Sequence, residues 1–172
     1  MPSLDVFETK DNIMVQAEAP GRENMKVKDV MTRNIFSTTT DPTLKAISRF
    51  LLKHHLNGVP VVDKDGGLLG IITHADIFRA ILPSYAEIYK KDAPTDFEEI
   101  EGRAKAAARR QVEEVMSNAV ITVEEDTPVV RVGSILLLRG IKQLPVVRKE
   151  RVTGVVTLTD VIQSLIISTP KK

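Results

Sequence analysis

The sequence predicts a mixed α/β fold of the α+β type, made of two copies of one small unit related by an approximate twofold axis. Internal repetition is the main observation. Three segments recur: GIITHAD at 70–76 as GVVTLTD at 154–160, VPVV at 59–62 as LPVV at 144–147, and DVMT at 29–32 as EVMS at 114–117. The offset is 84 residues for the first pair (154 minus 70) and 85 for the other two. A long period that occurs only twice excludes a solenoid, which needs several copies.

The composition is the second observation. With 172 residues, of which 42% are hydrophobic and 27% charged, the chain is one ordinary domain or two small ones. Aromatic residues make up 4%, so the core must be aliphatic. Cysteine is absent, which excludes disulfides, thiolate metal sites and cysteine nucleophiles. The net charge of +1, the absence of an apparent signal peptide and the lack of an apolar run near ~20 residues predict a soluble, cytoplasmic protein without membrane spans.

Residues 1–26 predict an N-terminal β-hairpin appended to the repeats. Residues 4–8 alternate between apolar and polar, 10–12 form a turn, and 13–17 run back. Pro20-Gly21 ends the pair. Because an isolated two-stranded hairpin is marginally stable in water, it must pack against another element.

Residues 27–82 predict the first repeat, in the order strand, helix, strand, strand, helix. The first long helix starts near Asp41-Pro42-Thr43, with Asp41 or Thr43 as its cap, and Asn57-Gly58 breaks it. Its apolar face contains Leu44, Ile47, Leu51 and His55, or Phe50 and His54. The remaining elements are strands at 59–62 and 68–72, joined by a turn at 63–67, and a helix at 75–82.

Residues 83–111 predict a helical linker, and 112–172 the second repeat. In the linker, helical pattern covers 84–91 and 97–112, and acids precede bases along the second segment, which favours an exposed helix with ion pairs. In the second repeat, Asp126-Thr127-Pro128 starts a helix with proline in its first turn, and Gly140 ends it. The other elements are strands at 120–123, 144–147 and 152–156 and a helix at 158–167.

The repeated Gly-apolar-apolar-Thr-x-x-Asp motif is the candidate functional feature. It puts Thr73 and Thr157 at helix N-caps and Asp76 and Asp160 in the first turns. One interpretation is a capping box, in which the hydroxyl and the carboxylate satisfy free backbone N–H groups. The other is a sugar-phosphate site, because a carboxylate can accept both ribose hydroxyls and a helix N-terminus can receive phosphate. The two interpretations are compatible.

The combined motifs resemble the cystathionine beta-synthase (CBS) domain family, specifically a tandem pair, also called a Bateman module. The first copy carries it in VMT at 30–32, NGVPVVD at 57–63 and GIITHAD at 70–76. The second copy carries it in VMS at 115–117, QLPVV at 143–147 and GVVTLTD at 154–160. The resemblance implies a pseudo-twofold sandwich of two β-α-β-β-α repeats, with two clefts that commonly bind AMP, ADP, ATP or S-adenosyl compounds such as S-adenosylmethionine.

Carried over residue by residue, the resemblance implies two sets of ligand-binding residues. The first cleft would use Thr73 and Asp76, with Ala119, Ile121, Ile141 and Lys142 opposite. The second cleft would use Thr157 and Asp160, with Asn34, Phe36, Leu56 and Asn57 opposite. It further implies a homodimer formed through the CBS helices and, with no fused output domain, an unidentified protein target regulated in trans.

The expected function is therefore a non-catalytic regulatory module that binds adenosyl ligands and needs no cofactor. The alternative is a protein-interaction scaffold with unoccupied clefts. An IMP dehydrogenase, whose chain contains CBS pairs, is rejected because that enzyme needs a large barrel and a cysteine nucleophile. Nucleic-acid binding is not expected, because Arg109-Arg110 has acids nearby and no aromatic platform. No metal site is expected, since His54 and His55 point about 100° apart on a helix.

Overall fold

The computed structural model describes residues 5–9, 12–16, 25–82 and 97–167. The strands are β1 (Asp5–Thr9), β2 (Asn12–Gln16), β3 (Gly58–Val62), β4 (Leu68–Thr73), β5 (Val123–Glu124), β6 (Gln143–Arg148) and β7 (Arg151–Thr157). The helices are α1 (Val27–Val30), α2 (Leu44–Lys53), α3 (His74–Ile81), α4 (Phe97–Ala107), α5 (Val129–Arg139) and α6 (Leu158–Ile162). A 3-10 turn covers Val112–Glu114, and α6 continues as a π-helical turn, Gln163–Ile167.

The predicted N-terminal hairpin is present. Strands β1 and β2 pair antiparallel, with Val6 opposite Val15. Asn12 belongs to β2, whereas the sequence placed it in the turn. The turn residues 10–11 and Pro20-Gly21 lie outside the described residues.

Each repeat contains an antiparallel hairpin, β3–β4 in the first and β6–β7 in the second. The strand expected to open each repeat is short. In the first repeat it is a single parallel bridge between Thr38 and Val61, and in the second it is β5, which pairs parallel to β6. The strand predicted at 120–123 therefore includes only Val123, because the chain just upstream pairs with β4 through Ser117.

The start and buried face of α2 agree with the sequence, whereas its end does not. Thr43 caps the helix, since its Oγ1 accepts from the Ala46 N–H at 3.3 Å. Leu44, Ile47 and Leu51 are buried, as expected. The helix ends at Lys53, well before Asn57-Gly58, because His55 at φ 53° already turns the chain.

At α5 the predicted C-terminal end agrees with the structure, whereas the predicted start does not. Pro128 is the N-cap of α5 and not a residue of its first turn. At the other end, Gly140 adopts the left-handed conformation (φ 62°, ψ 27°) and terminates the helix, as predicted.

The linker helix α4 lies against α3 and carries the predicted ion pairs. Glu99 pairs with Arg103 at 3.3 Å, and Glu101 pairs with Lys105 at 2.9 Å. Both are acid-to-base i,i+4 pairs, the favourable order on a helix. The helix predicted at 84–91 lies outside the described residues.

The repeats exchange their opening segments. Buried Val112 packs with the first repeat's core, and Val115 and Met116 pack against it. Reciprocally, Val27 and Met31 are buried in the second repeat's core. The first core otherwise contains Leu44, Ile47, Leu51, Val59, Val61 and Ile72, and the second Val123, Val129, Val132, Leu136, Leu144, Val146, Val156 and Val161. Each core is therefore completed by the other copy.

Backbone hydrogen bonds repeat this exchange with an offset of 85 residues. The Val27 N–H donates to the Thr127 carbonyl at 2.9 Å, and its counterpart, the Val112 N–H, donates to the Pro42 carbonyl at 2.9 Å. Equivalent backbone hydrogen bonds in the two copies thus agree with the pseudo-twofold relation inferred from the repeats.

Candidate functional site

Each motif strand is paired with the exchanged segment of the other repeat. Ile71 and Ser117 exchange two backbone hydrogen bonds of 3.0 and 2.9 Å. Val155 and Thr32 make the equivalent pair, both at 3.0 Å. These pairings bring residues that follow 117 and 32 beside the ends of β4 and β7, where the two threonines of the motif lie.

The motif glycines allow this close approach. A Cβ on Gly70 would lie 2.9 Å from the Ser117 carbonyl oxygen and 3.0 Å from Met116 Sδ. A Cβ on Gly154 would lie 2.9 Å from the Thr32 carbonyl oxygen and 2.8 Å from Met31 Sδ. Each motif therefore begins with glycine because the other repeat's backbone occupies the side-chain position.

Both motifs form capping boxes. At α3, Asp76 Oδ2 accepts from the Thr73 N–H at 2.9 Å and from Thr73 Oγ1 at 2.5 Å, while Thr73 Oγ1 faces the Asp76 N–H at 3.3 Å. At α6, the corresponding distances for Thr157 and Asp160 are 2.8, 2.7 and 3.2 Å. The capping interpretation is thus observed in both copies, although aspartate is shorter than the usual glutamate.

The two aspartates differ in their second oxygen. Asp76 Oδ1 accepts from Arg79 Nη1 at 2.7 Å and from Ser117 Oγ at 2.8 Å. Asp76 is only 3% exposed, and the Ser117 bond ties it to the other repeat. Asp160 is half-buried, and within the described ranges its carboxylate accepts two hydrogen bonds, both at Oδ2 and both from Thr157. The Asp76 carboxylate is therefore more tightly held than its counterpart.

A cavity of about 390 Å³ lies between the repeats at the end of β4. All six residues predicted for the first cleft line it, namely Thr73, Asp76, Ala119, Ile121, Ile141 and Lys142. His74, Arg79 and Ser117 line it too. The cavity therefore combines apolar side chains with hydroxyl, carboxylate and cationic groups.

Asn57 also lines this cavity, which differs from its predicted grouping with Thr157. The cause is the hairpin: Asn57 precedes β3, which pairs with β4, so its carbonyl accepts from the His74 N–H at 3.1 Å, at the start of α3. Asn57 thus belongs to the wall beside Thr73.

Of the other residues predicted opposite Thr157, Asn34 and Phe36 lie on the opening segment of the first repeat, and Leu56 lies just after α2. Phe36 packs edge-on to Phe50, with ring centroids 5.3 Å apart, and against His54 at 4.5 Å. Asn34 is exposed, and Leu56 is partly buried against the first core. The Thr32–Val155 pairing brings this segment beside β7. Its use as a ligand wall stays a prediction.

Sequence reasoning missed Arg79 as a cavity residue and Ser117 as a partner of Asp76. Arg79 could have been noticed, because it lies three residues after Asp76 on the same helix face. Ser117 could not be linked to Asp76 from local spacing, since they are 41 residues apart in sequence.

A wider depression of about 900 Å³ lies at the hairpin turns and contains no residue of the Gly-apolar-apolar-Thr-x-x-Asp motifs at 70–76 and 154–160. It is mostly acidic, but several carboxylates are paired. Asp126 accepts from Lys28 at 2.9 Å and Lys26 at 3.0 Å, and these contacts lower its pKa to about 2. This depression has a surface ion-pair network, whereas the smaller cavity contains the repeated motif.

Comparison with known proteins identifies the family. A sequence model of the CBS domain matches residues 27–83 and 112–167, so the chain belongs to the CBS domain family and contains a tandem pair. It is 32% identical over 157 residues to the uncharacterized protein MJ1426 of Methanocaldococcus jannaschii, a match that covers 84% of this chain and 93% of that protein.

Solved structures of CBS pairs share the fold. The chain superposes on MJ1225 of Methanocaldococcus jannaschii, described as a putative archaeal homolog of g-AMPK, with a TM-score of 0.69 and 27% identity, covering 82% of this chain and 48% of that one. It also superposes on the CBS domain pair of MJ0100, in complex with 5-methylthioadenosine and S-adenosyl-L-methionine. That match has a TM-score of 0.60 and 28% identity, over 81% of this chain and 94% of that one. In the described part of the chain, no helix is long and apolar enough to cross a bilayer.

Proposed function

We propose that the chain is a non-catalytic regulatory module that binds an adenosyl ligand between its CBS repeats. The observation that carries the proposal is the cavity in which Thr73 and Asp76 face apolar residues of the other copy. The adenosyl ligands bound by the MJ0100 pair support the ligand class. The candidates are AMP, ADP, ATP and S-adenosyl compounds.

The cavity wall has the groups that such a ligand needs. Ala119, Ile121 and Ile141 offer apolar surface to an adenine ring. Asp76 is the carboxylate of this wall, and because its two oxygens already accept from Thr73, Arg79 and Ser117, a ribose hydroxyl would replace one of these donors. Lys142 brings a positive charge to the same cavity, within reach of a phosphate or another anionic group.

A thermal-shift screen with AMP, ADP, ATP, S-adenosylmethionine and methylthioadenosine tests the proposal. A ligand at a hundredfold its dissociation constant stabilises the folded state by about 2.7 kcal/mol, which is a readable shift. Asp76→Ala should abolish the shift at the first cleft and Asp160→Ala at the second. Asp65→Ala, in an exposed hairpin turn away from the cavity, is the control and should respond like the wild type.

If none of these ligands shifts the wild-type protein, the adenosyl function is wrong and the alternative, a protein-interaction scaffold with unoccupied clefts, takes its place. A shift that survives both aspartate substitutions would place the ligand outside the motif clefts.

We further propose that the chain forms a homodimer through α3 and the last helix and acts on a protein target in trans, in the cytoplasm. Apolar side chains on these helices are exposed, with Phe78 at 59% and Ile166 at 74%. Light scattering at micromolar protein should give twice the chain mass of 19.0 kDa. Phe78→Glu with Ile166→Glu should give the monomer mass, because charges would be buried at the interface. A monomeric wild type would refute the dimer.

A further inference from the structure

The wall of the first cavity has an excess of cationic groups. Arg79 and Lys142 are positively charged, and Asp76 is the one carboxylate among the lining residues. That single negative charge is already paired with Arg79 at 2.7 Å. A ligand entering this cavity therefore meets a positive surface with its one carboxylate neutralised.

Arg79 is held at one end and open at the other. Its Nη1 donates to the buried Asp76 carboxylate, whereas 70% of its side chain is exposed. A guanidinium has five N–H donors in a rigid fork, and Asp76 takes one of them at this contact. Asp76, itself fixed by Ser117 and the Thr73 cap, thus positions a guanidinium whose remaining donors can face the cavity.

The second repeat has no equivalent cations on its motif helix. With the offset of 84 residues, Gln163 is the counterpart of Arg79 and Leu158 the counterpart of His74. The capping boxes are otherwise alike. The difference between the two motif helices is therefore one of charge and not of backbone geometry.

We propose that Arg79 is a specificity-determining residue that makes the first cleft select a phosphorylated nucleoside over the uncharged one. Its free N–H groups would bind phosphate oxygens in a charge-assisted fork while Asp76 keeps the guanidinium in place. The second cleft, with Gln163 at this position, would not discriminate by phosphate. This inference rests on the proposed function and names the ligand class of the first cleft.

Calorimetric titration of the full chain with AMP and with adenosine tests it, in an Asp160→Ala background so that the first cleft is observed. We expect AMP to bind at least about tenfold more tightly than adenosine, as a charged hydrogen-bonded pair implies. Arg79→Gln, which introduces the second repeat's residue, should bring the two affinities to within about threefold by weakening AMP alone. Arg79→Lys should give an intermediate ratio, since it keeps the charge but loses the fork.

Two controls separate specificity from folding. Gln163→Ala should leave the AMP-to-adenosine ratio unchanged. Arg79→Gln should melt within about 4 °C of its parent, because Arg79 is mostly exposed and Asp76 keeps its hydrogen bonds to Thr73 and Ser117. In the protein that retains Arg79, added salt should weaken the binding of AMP more than the binding of adenosine.

The outcomes distinguish this inference from the function on which it rests. If neither AMP, adenosine nor any other adenosyl ligand binds the protein that retains Arg79, the proposed function fails. If AMP and adenosine bind and Arg79→Gln leaves their ratio unchanged, or weakens both equally, the role of Arg79 is refuted while the adenosyl function stands.

Discussion

Replacing Gly70 by alanine puts a methyl group where the two repeats touch. The new Cβ would lie 2.9 Å from the Ser117 carbonyl oxygen and 3.0 Å from Met116 Sδ. The methionine side chain is flexible and can move away. The carbonyl oxygen cannot, because it accepts the Ile71 N–H at 3.0 Å within the pairing that joins the copies.

The size of the effect follows from these contacts. Relieving the clash requires the backbone at Ser117 to shift by a few tenths of an ångström, which strains the two backbone hydrogen bonds shared with Ile71. Overpacking of a tight site typically costs about 1–3 kcal/mol, and we expect Gly70→Ala to lose about that much unfolding free energy. Gly154→Ala should lose a similar amount, since its Cβ would meet the Thr32 carbonyl oxygen at 2.9 Å.

Equilibrium unfolding in urea is the assay, with Gly102→Ala as the matched control. Gly102 is an exposed residue inside α4, and a Cβ there meets nothing within 4 Å. That variant should gain up to about 1 kcal/mol from helix propensity. Gly70→Ala should also weaken ligand binding at the first cleft, because Ser117 donates to Asp76. A Gly70→Ala protein as stable as the wild type would refute the argument that the repeats interlock here.

Three further predictions concern single side chains. Asp76→Ala should cost about 1–3 kcal/mol more in urea unfolding than Asp160→Ala, since it removes the acceptor of two further donors; equal losses would contradict this. For Asp126 the folded pKa is lowered, so its ion-pair stabilisation is complete above pH 3.8 and is lost as pH falls toward about 2. Asp126→Asn should make the urea midpoint depend less on pH across that window, and a pH dependence equal to that of the wild type would count against this. Gly140→Ala should lower stability by about 1–2 kcal/mol, because φ is +62° there, and a thermal melt that does not move would overturn this.

Local features of the fold were predictable from the sequence. Cap residues, apolar spacing and glycine-containing turns act within a few residues, so Thr43 was one of the two caps considered for α2, and Gly140 and both motif capping boxes were predicted. The end of α2 was not, because the turn at His55 uses a left-handed conformation that histidine only occasionally adopts.

Contacts between distant segments were not predictable from spacing. The exchange that buries Val27 and Val112 in opposite cores depends on how the two copies pack together. The spacing of apolar residues along the chain does not predict that packing. For the site, the motif indicated Thr73 and Asp76, and the family resemblance supplied the facing wall. The coupling of Asp76 to Ser117 became visible only in three dimensions, whereas its pairing with Arg79 has the i,i+3 spacing of neighbours on a helix.

The exchanged opening segments have a consequence for symmetry. A single copy of this repeat could complete its core only by pairing with an identical copy, and the two clefts would then be identical by construction. Joining two copies in one chain keeps the interlocked contacts at Gly70 and Gly154 but removes that constraint. The chain can thus carry arginine at position 79 of one motif helix and glutamine at the equivalent position 163 after the other, so the two copies are free to differ in charge.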